Sequence, residues 1–208
     1  DPIQCANIRA SILLAGPLLA RCGKVVLPPP GGDVIGRRRV DTHFLALQQL
    51  GAKVEADINY SFEAAKLKGA DVFLDEPSVT ATENALMAAV VAEGTTVLRN
   101  AASEPHVQDL AQFLVALGAR IDGIGTNTMT VCGGARLGGA EHRIGPDHIE
   151  VGSFIGLAAV TRSALRIADA GVEHLRSVRL GFQRLGVDTV IDLEGGLDRG
   201  VEGLVGVR

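Results

Sequence analysis

The residues whose types could do chemistry gather at positions 28–39, which read Pro-Pro-Pro-Gly-Gly-Asp-Val-Ile-Gly-Arg-Arg-Arg. Gly31 and Gly32 allow backbone shapes closed to other residues and let the chain approach a ligand. Arg37, Arg38 and Arg39 present forked donors suited to phosphate or carboxylate. Asp33 stands between the two groups. A carboxylate beside three arginines stays ionised in the free protein, but a bound anion that neutralised them would favour its protonated form and let Asp33 act as a proton donor. The plainer alternative is an exposed loop with a solvated basic cluster.

A repeat supplies the scaffold for that loop. A helical segment ending in Leu-Gly-small occurs at Leu50-Gly51-Ala52, Leu117-Gly118-Ala119 and Leu185-Gly186-Val187, a period near seventy residues. Ahead of each lie an apolar helical run (10–20, 81–92, 151–160), a break and a β-like stretch (24–27, 95–99, 164–167). Each copy therefore reads helix, strand, helix, then two or more short strands. Val107, Leu110, Leu114 and Leu117 recur three and four apart, with Ser103 and Pro105 at the start, and Phe44, Leu47 and Leu50 repeat the stripe with Asp41 as the expected N-cap. Residues 53–56 and 120–123 follow the helix ends with β-type sequence. Units of this size need neighbours to bury their inner faces, and three could close around a pseudo-threefold axis. The first copy is longer than the second between its strand and the end of its second helix, and the extra residues are the Pro, Gly and Arg loop. Such an insertion is where loop-borne function is expected.

Composition narrows the classes. With 47% apolar residues among 208, the chain can build a real core. Net charge is −4 with the signs interspersed, and with one tyrosine and no tryptophan there is neither a basic face nor stacking material for nucleic acid. Residues 11–20 form the longest apolar stretch, which is too short to span a bilayer and is broken by Pro17. Cys5, Cys22 and Cys132 are odd in number and widely spaced, which suits reduced thiols in a cytoplasm, and Cys132 reads as a buried strand residue. Gly31, Gly32 and Gly36 do not make a GxGxxG fingerprint, so NAD is not expected. His43, His106, His142, His148 and His174 lack metal-ligand spacing, so no metal is expected either. An opening Asp1-Pro2 and a strand-like end at 203–208 read as a piece of a longer protein.

Several segments, in order along nearly the whole chain, resemble the enolpyruvyl transferase family, and within it the members that act on UDP-N-acetylglucosamine. They are Arg9-Ala10-Ser11-Ile12 with 16–21, then 31–36, Arg38, Val40-Asp41 and His43. Ser78-Val79, 81–84, 92–96, Asn100-Ala101, Glu104-Pro105, Pro146-Asp147, Ile149-Glu150 and Gly152 continue the run. The resemblance implies an α/β fold, the inside-out α/β barrel of that family, built from about three repeated helix-strand-helix-strand-strand units. Residues 1–146 would hold two units of the catalytic-loop domain, and 147–208 a third unit that begins the second domain.

It also implies transfer of the enolpyruvyl group from phosphoenolpyruvate to the 3-hydroxyl of UDP-N-acetylglucosamine, the first committed step of peptidoglycan synthesis, with no cofactor. Asp33 stands at the usual cysteine position as proton donor, and its carboxylate is a poor target for the epoxide fosfomycin. Arg9 and Arg38 match arginines that hold the substrates' anionic groups. Arg38, Arg39, Val40, Asp41 and Thr42 match a stretch lining the UDP-sugar site, with Arg39 in place of proline. His43 matches a nucleotide-contacting position. Glu76, Pro77, Ser78, Val79 and Thr80 match a second lining stretch, with Glu76 in place of lysine and Thr80 in place of glycine. The family's amino-terminal Lys-Asn pair, distal arginines and distal aspartate have no counterpart here. The partners implied are the two substrates and the missing second-domain segments, from a longer chain or another chain, with no nucleic acid or membrane. The chain alone is then expected to be inert or nearly so. A shikimate-phosphate enolpyruvyl transferase, which lacks the Gly-Gly-acid-x-Ile-Gly loop, and a noncatalytic sugar-nucleotide-binding or interaction remnant are the alternatives.

Overall fold

All three Leu-Gly-small signals become the same helix ending. Gly51, Gly118 and Gly186 have φ of 94°, 109° and 79°, a left-handed conformation that glycine adopts without Cβ strain. Their amides donate to Gln48, Val115 and Gln183 carbonyls, and the following amides of Ala52, Ala119 and Val187 reach back to Leu47, Leu114 and Phe182. That pair of bonds is the Schellman cap, here formed three times.

The structure is a computed structural model that describes residues 1–33, 36, 38–191 and 203–205. It divides into two compact units, Asp1–His142 and Arg143–Arg208.

In the first unit, α1 (Pro2–Asn7) leads through a 3-10 turn (Arg9–Leu14) into α2 (Ala15–Cys22), β1 (Lys24–Leu27), α3 (Asp41–Gln49), β2 (Lys53–Ala56) and β3 (Tyr60–Glu63). Then come β4 (Asp71–Phe73), α4 (Val79–Ala89), β5 (Thr95–Arg99), α5 (Pro105–Ala116), β6 (Arg120–Asp122) and β7 (Thr128–Cys132). One sheet runs β1-β3-β2 and the other β4-β5-β7-β6. The copies agree in register: Glu63 pairs with Lys24 and Lys53, and Cys132 pairs with Thr95 and Arg120. β4 is an addition, parallel to β5.

The single helix expected over 10–20 is instead the 3-10 turn followed by α2. Pro17 falls in the first turn of α2, where a missing N–H costs least. Asp41 is the first residue of α3 and not its cap, because its carboxylate is engaged by Arg39. At α5 the N-cap position is Glu104, not Ser103, and Pro105 opens the helix.

Helix α4 explains the inside-out layering. Eight of its residues, Ala81 through Leu86 together with Ala88 and Ala89, are buried, so it is covered all round. It packs on α2, α3, α5 and the 3-10 turn. Its alanines permit close approach, and a Cβ on Gly16 of α2 would lie 2.5 Å from the Asn84 carbonyl oxygen. The sheets lie outside, and β1, β5 and β7 alternate buried with more exposed residues. Phe62 and Val131, equivalent by register, are both fully buried.

In the second unit, α6 (His148–Thr161) is capped by Asp147, which accepts from the Ile149 and Glu150 amides. β8 (Leu165–Ile167), a 3-10 turn (Val172–His174), α7 (Arg176–Arg184) and β9 (Gly203–Val205), antiparallel to β8, complete it. Its core is small, centred on Val151, Ile155, Ala170 and Leu175.

Candidate active site

The loop after β1 is held at its start by close backbone packing. A Cβ on Gly31 would lie 1.7 Å from the Ala6 carbonyl oxygen, and one on Gly32, whose φ is 93°, would lie 2.9 Å from Arg9 Cβ. No larger residue fits either position without moving the loop away from α1 at Gly31 or from the 3-10 turn at Gly32. Asp33 follows directly, exposed, and pairs with no described residue. Val34, Ile35 and Arg37 lie outside the described residues.

Arg9 ties the two ends of the loop together. Its Nη2 donates to the Arg39 carbonyl at 2.7 Å and to the Arg38 carbonyl at 3.2 Å. Burial, with the like charge of Arg38 second, holds the Arg9 guanidinium below its ordinary pKa. Arg38 itself is exposed, and its Nη1 lies 3.6 Å from where a Gly32 Cβ would be. Arg9, Arg38 and the Asp33 backbone therefore share one neighbourhood.

Arg39 does not crowd Asp33 as the sequence pattern expects. Its Nε and Nη2 donate to both Asp41 oxygens, at 2.9 Å and 2.7 Å, Nη2 also engages Asp75, and Nη1 sits 3.5 Å from Glu76. Hydrogen bonds to Asp41 first, and then Asp75, hold its pKa above the usual arginine value. Thr42 Oγ1 donates to Asp75 Oδ1 at 2.8 Å, and that bond, with Arg39, holds the Asp75 carboxyl below its ordinary range. Arg39 and Glu76, both departures from the family pattern, thus face each other. They join the 38–42 stretch to the 76–80 stretch, where Glu76, Val79 and Thr80 are half-buried, Pro77 is exposed and Ser78 caps α4.

His43, expected to face a nucleotide, is fully buried, with Nδ1 2.8 Å from Asn84 Nδ2 and Nε2 3.0 Å from Thr80 Oγ1. Burial, helped by the Arg9 charge, pushes its pKa down to about 4. Val40 precedes α3 and is half-buried.

Two residues that bond to the expected site residues escaped the sequence pattern, Asp75 through Thr42 and Asn84 through His43, and beside Asn84 lies the buried acid Glu83. Glu83 is 8% exposed, and burial beside Glu104 raises its pKa to about 7. The available signal was the polar triplet Thr82-Glu83-Asn84 inside an otherwise apolar helix.

The chain matches the profile of the EPSP synthase (3-phosphoshikimate 1-carboxyvinyltransferase) family over residues 2–192. It belongs to this family. Among curated proteins, it is 77% identical over 187 residues to the UDP-N-acetylglucosamine 1-carboxyvinyltransferase of Bradyrhizobium diazoefficiens, covering 90% of this chain and 43% of the relative. It is 66% identical to the enzyme of the same name from Treponema denticola, covering 87% of this chain and 42% of that one. The chain thus spans less than half the length of the curated relatives it matches. Among solved structures, the enolpyruvyl transferase NikO from Streptomyces tendae superposes with a TM-score of 0.74 over 99% of this chain and 48% of its own, at 22% identity. An EPSP synthase from Acinetobacter baumannii gives 0.68 over 97% and 46%, also at 22%. The fold is therefore that of the enolpyruvyl transferases. No helix among the described residues is long and apolar enough to cross a membrane.

Proposed function

We propose that the full-length protein containing this chain transfers the enolpyruvyl group of phosphoenolpyruvate to the 3-hydroxyl of UDP-N-acetylglucosamine. The reaction is the first committed step of cytoplasmic peptidoglycan synthesis, and so serves cell shape and division. The observation that carries the reading is the Gly31-Gly32 pair packed against Ala6 and Arg9 with Asp33 directly after it, on a chain 77% identical to a relative with that name. Residues 1–146 supply two repeat units of the loop-bearing domain and 147–208 open the second.

Asp33, in its acid form, protonates the terminal carbon of the enol, and positive charge develops on the neighbouring carbon. The sugar 3-hydroxyl oxygen adds there as its proton passes to a base or water, and phosphate then leaves as a proton is removed from the methyl group, restoring the double bond. Arg9 and Arg38 balance the anionic groups. Arg39, already committed to carboxylates, fixes the 38–42 stretch against the 76–80 stretch, and Val40, Asp41, Thr42, Pro77, Ser78, Val79 and Thr80 line the sugar nucleotide.

Phosphate release from phosphoenolpyruvate tests the reading. Release that requires UDP-N-acetylglucosamine supports it, and release with shikimate 3-phosphate instead assigns the protein to the other substrate of its family. The relatives' names favour the first. An Asp33 enzyme resists fosfomycin, so rapid covalent inactivation by that epoxide argues against the donor assignment, whereas Asp33→Cys gains sensitivity. The 208-residue chain alone is expected to release no phosphate while retaining at most weak sugar-nucleotide binding, readable by calorimetry.

A further inference from the structure

Two of the site's three lining segments meet below the surface at one amide side chain, and the third joins them through His43. Asn84 is fully buried in α4 and uses all three of its strongest polar positions. Its Oδ1 accepts from the Gly16 amide at 2.8 Å, and its Nδ2 donates to the Ile12 carbonyl and to His43 Nδ1, each at 2.8 Å. Accepting at Nδ1 leaves the His43 proton on Nε2, which donates to Thr80 Oγ1 at 3.0 Å. Ile12 belongs to the 3-10 turn that carries Arg9, His43 ends the 38–43 stretch, and Thr80 ends the 76–80 stretch.

We propose that Asn84 is a positioning residue for this site, setting through Ile12, His43 and Thr80 the relative placement of the three segments that line the substrate. The proposal rests on the function given above. Two independent features support it. Gly16 has no room for a Cβ, which would lie 2.8 Å from Asn84 Oδ1, so the helix contact is shaped around this amide. His43 stays neutral because burial holds its pKa near 4, so a single tautomer persists and the relay has one direction. A buried network with every member satisfied fixes one arrangement, whereas apolar packing tolerates slides of a fraction of an ångström. Shifts of that order at a substrate-lining segment weaken binding severalfold or more.

The test uses the full-length protein, calorimetric titration with UDP-N-acetylglucosamine corrected to the folded fraction, and amide hydrogen exchange without ligand. Asn84→Ala should weaken Kd about tenfold and accelerate exchange selectively at residues 9–12, 38–43 and 76–80. Thr80→Val, which removes one acceptor at nearly constant volume, should weaken Kd about threefold and accelerate exchange selectively at residues 38–43; because Thr80 itself lines the sugar nucleotide, that exchange pattern decides the matter if Asn84→Ala fails to fold. His43→Gln, whose amide can donate to Thr80, should bind at least threefold more tightly than His43→Ala. A folded Asn84→Ala protein with unchanged Kd, or with exchange raised evenly across the first unit, would overturn the proposal. So would an unchanged Kd in Thr80→Val, or no recovery by His43→Gln. If the wild-type protein does not bind UDP-N-acetylglucosamine, the functional reading fails, and the exchange pattern alone then decides the positioning role.

Discussion

The first and second repeats share strand order, register and helix cap, yet their connections from strand to second helix differ. After β1 the chain runs through residues 28–40 before α3, whereas after β5 it takes only residues 100–104 before α5. In the short connection Asn100 adopts φ of 55° and donates to the Leu74 carbonyl, so it serves structure. The long one presents Asp33 and is anchored by Arg9 and Arg39. The scaffold is common to both copies, and the proposed chemistry rests on what one loop adds to it.

Four experiments bear on that contrast. Asp33→Ala in the full-length protein should lower kcat by at least about a hundredfold, the range for losing a general acid, while Ser103→Ala in the short connection should leave it within about twofold. Phosphate-release kinetics would read both, and equal effects would erase the distinction between the loops. Scaffold positions should instead respond in both copies. Phe62→Ala should cost about 3–5 kcal/mol, and Val131→Ala, which removes less volume at the equivalent site, a smaller amount, measured by denaturant unfolding.

The third experiment concerns two buried titrating groups of the first unit. Glu83 is proton-bound up to about pH 7 when folded but only to about 4.5 when unfolded. Its contribution is therefore full below about pH 4.5 and is lost as pH rises towards 7. His43, at about 4 folded against 6.5 unfolded, behaves oppositely: its contribution is full above about pH 6.5 and is lost on acidification towards 4. Between these limits the two slopes offset each other. Glu83→Gln should raise stability at pH 8 by up to about 3 kcal/mol and expose a slope of similar size below pH 6.5. A pH profile unchanged by the substitution would refute the buried-acid assignment. The smallest effect concerns Thr96, the register equivalent of Val25, which is fully buried with an Oγ1 that has no partner among the described residues. Thr96→Val should stabilise by about 1 kcal/mol, bringing the second copy closer to the first.

Local determinants were legible in the residue pattern. The three caps, the strands at 24–27, 53–56 and 95–99, and the presence of a distinctive loop all follow from short-range rules, because a glycine at the left-handed position or a period of two needs no distant partner. Contacts across the chain were not legible. β4 has only three residues, Asp71–Phe73, and its parallel pairing depends on β5 in the next copy. Thr82, Glu83 and Asn84 resemble a solvent-facing stretch, and only the encirclement of α4 by other helices buries them. Asp41 suited a cap by type and position, but a stronger partner, Arg39, lay two residues away. His43 shows what likeness alone does not reveal: expected to face a nucleotide, its side chain is fully buried against Asn84 and Thr80.

The threefold cap also bears on how such a chain could lengthen. Everything that ends each of these helices is encoded within half a dozen consecutive residues. A duplicated stretch of gene would carry its own terminator, ready to fold the same way wherever it was inserted. Lineages could then add or diversify copies without first inventing new punctuation, leaving the intervening loops free to drift towards new substrates.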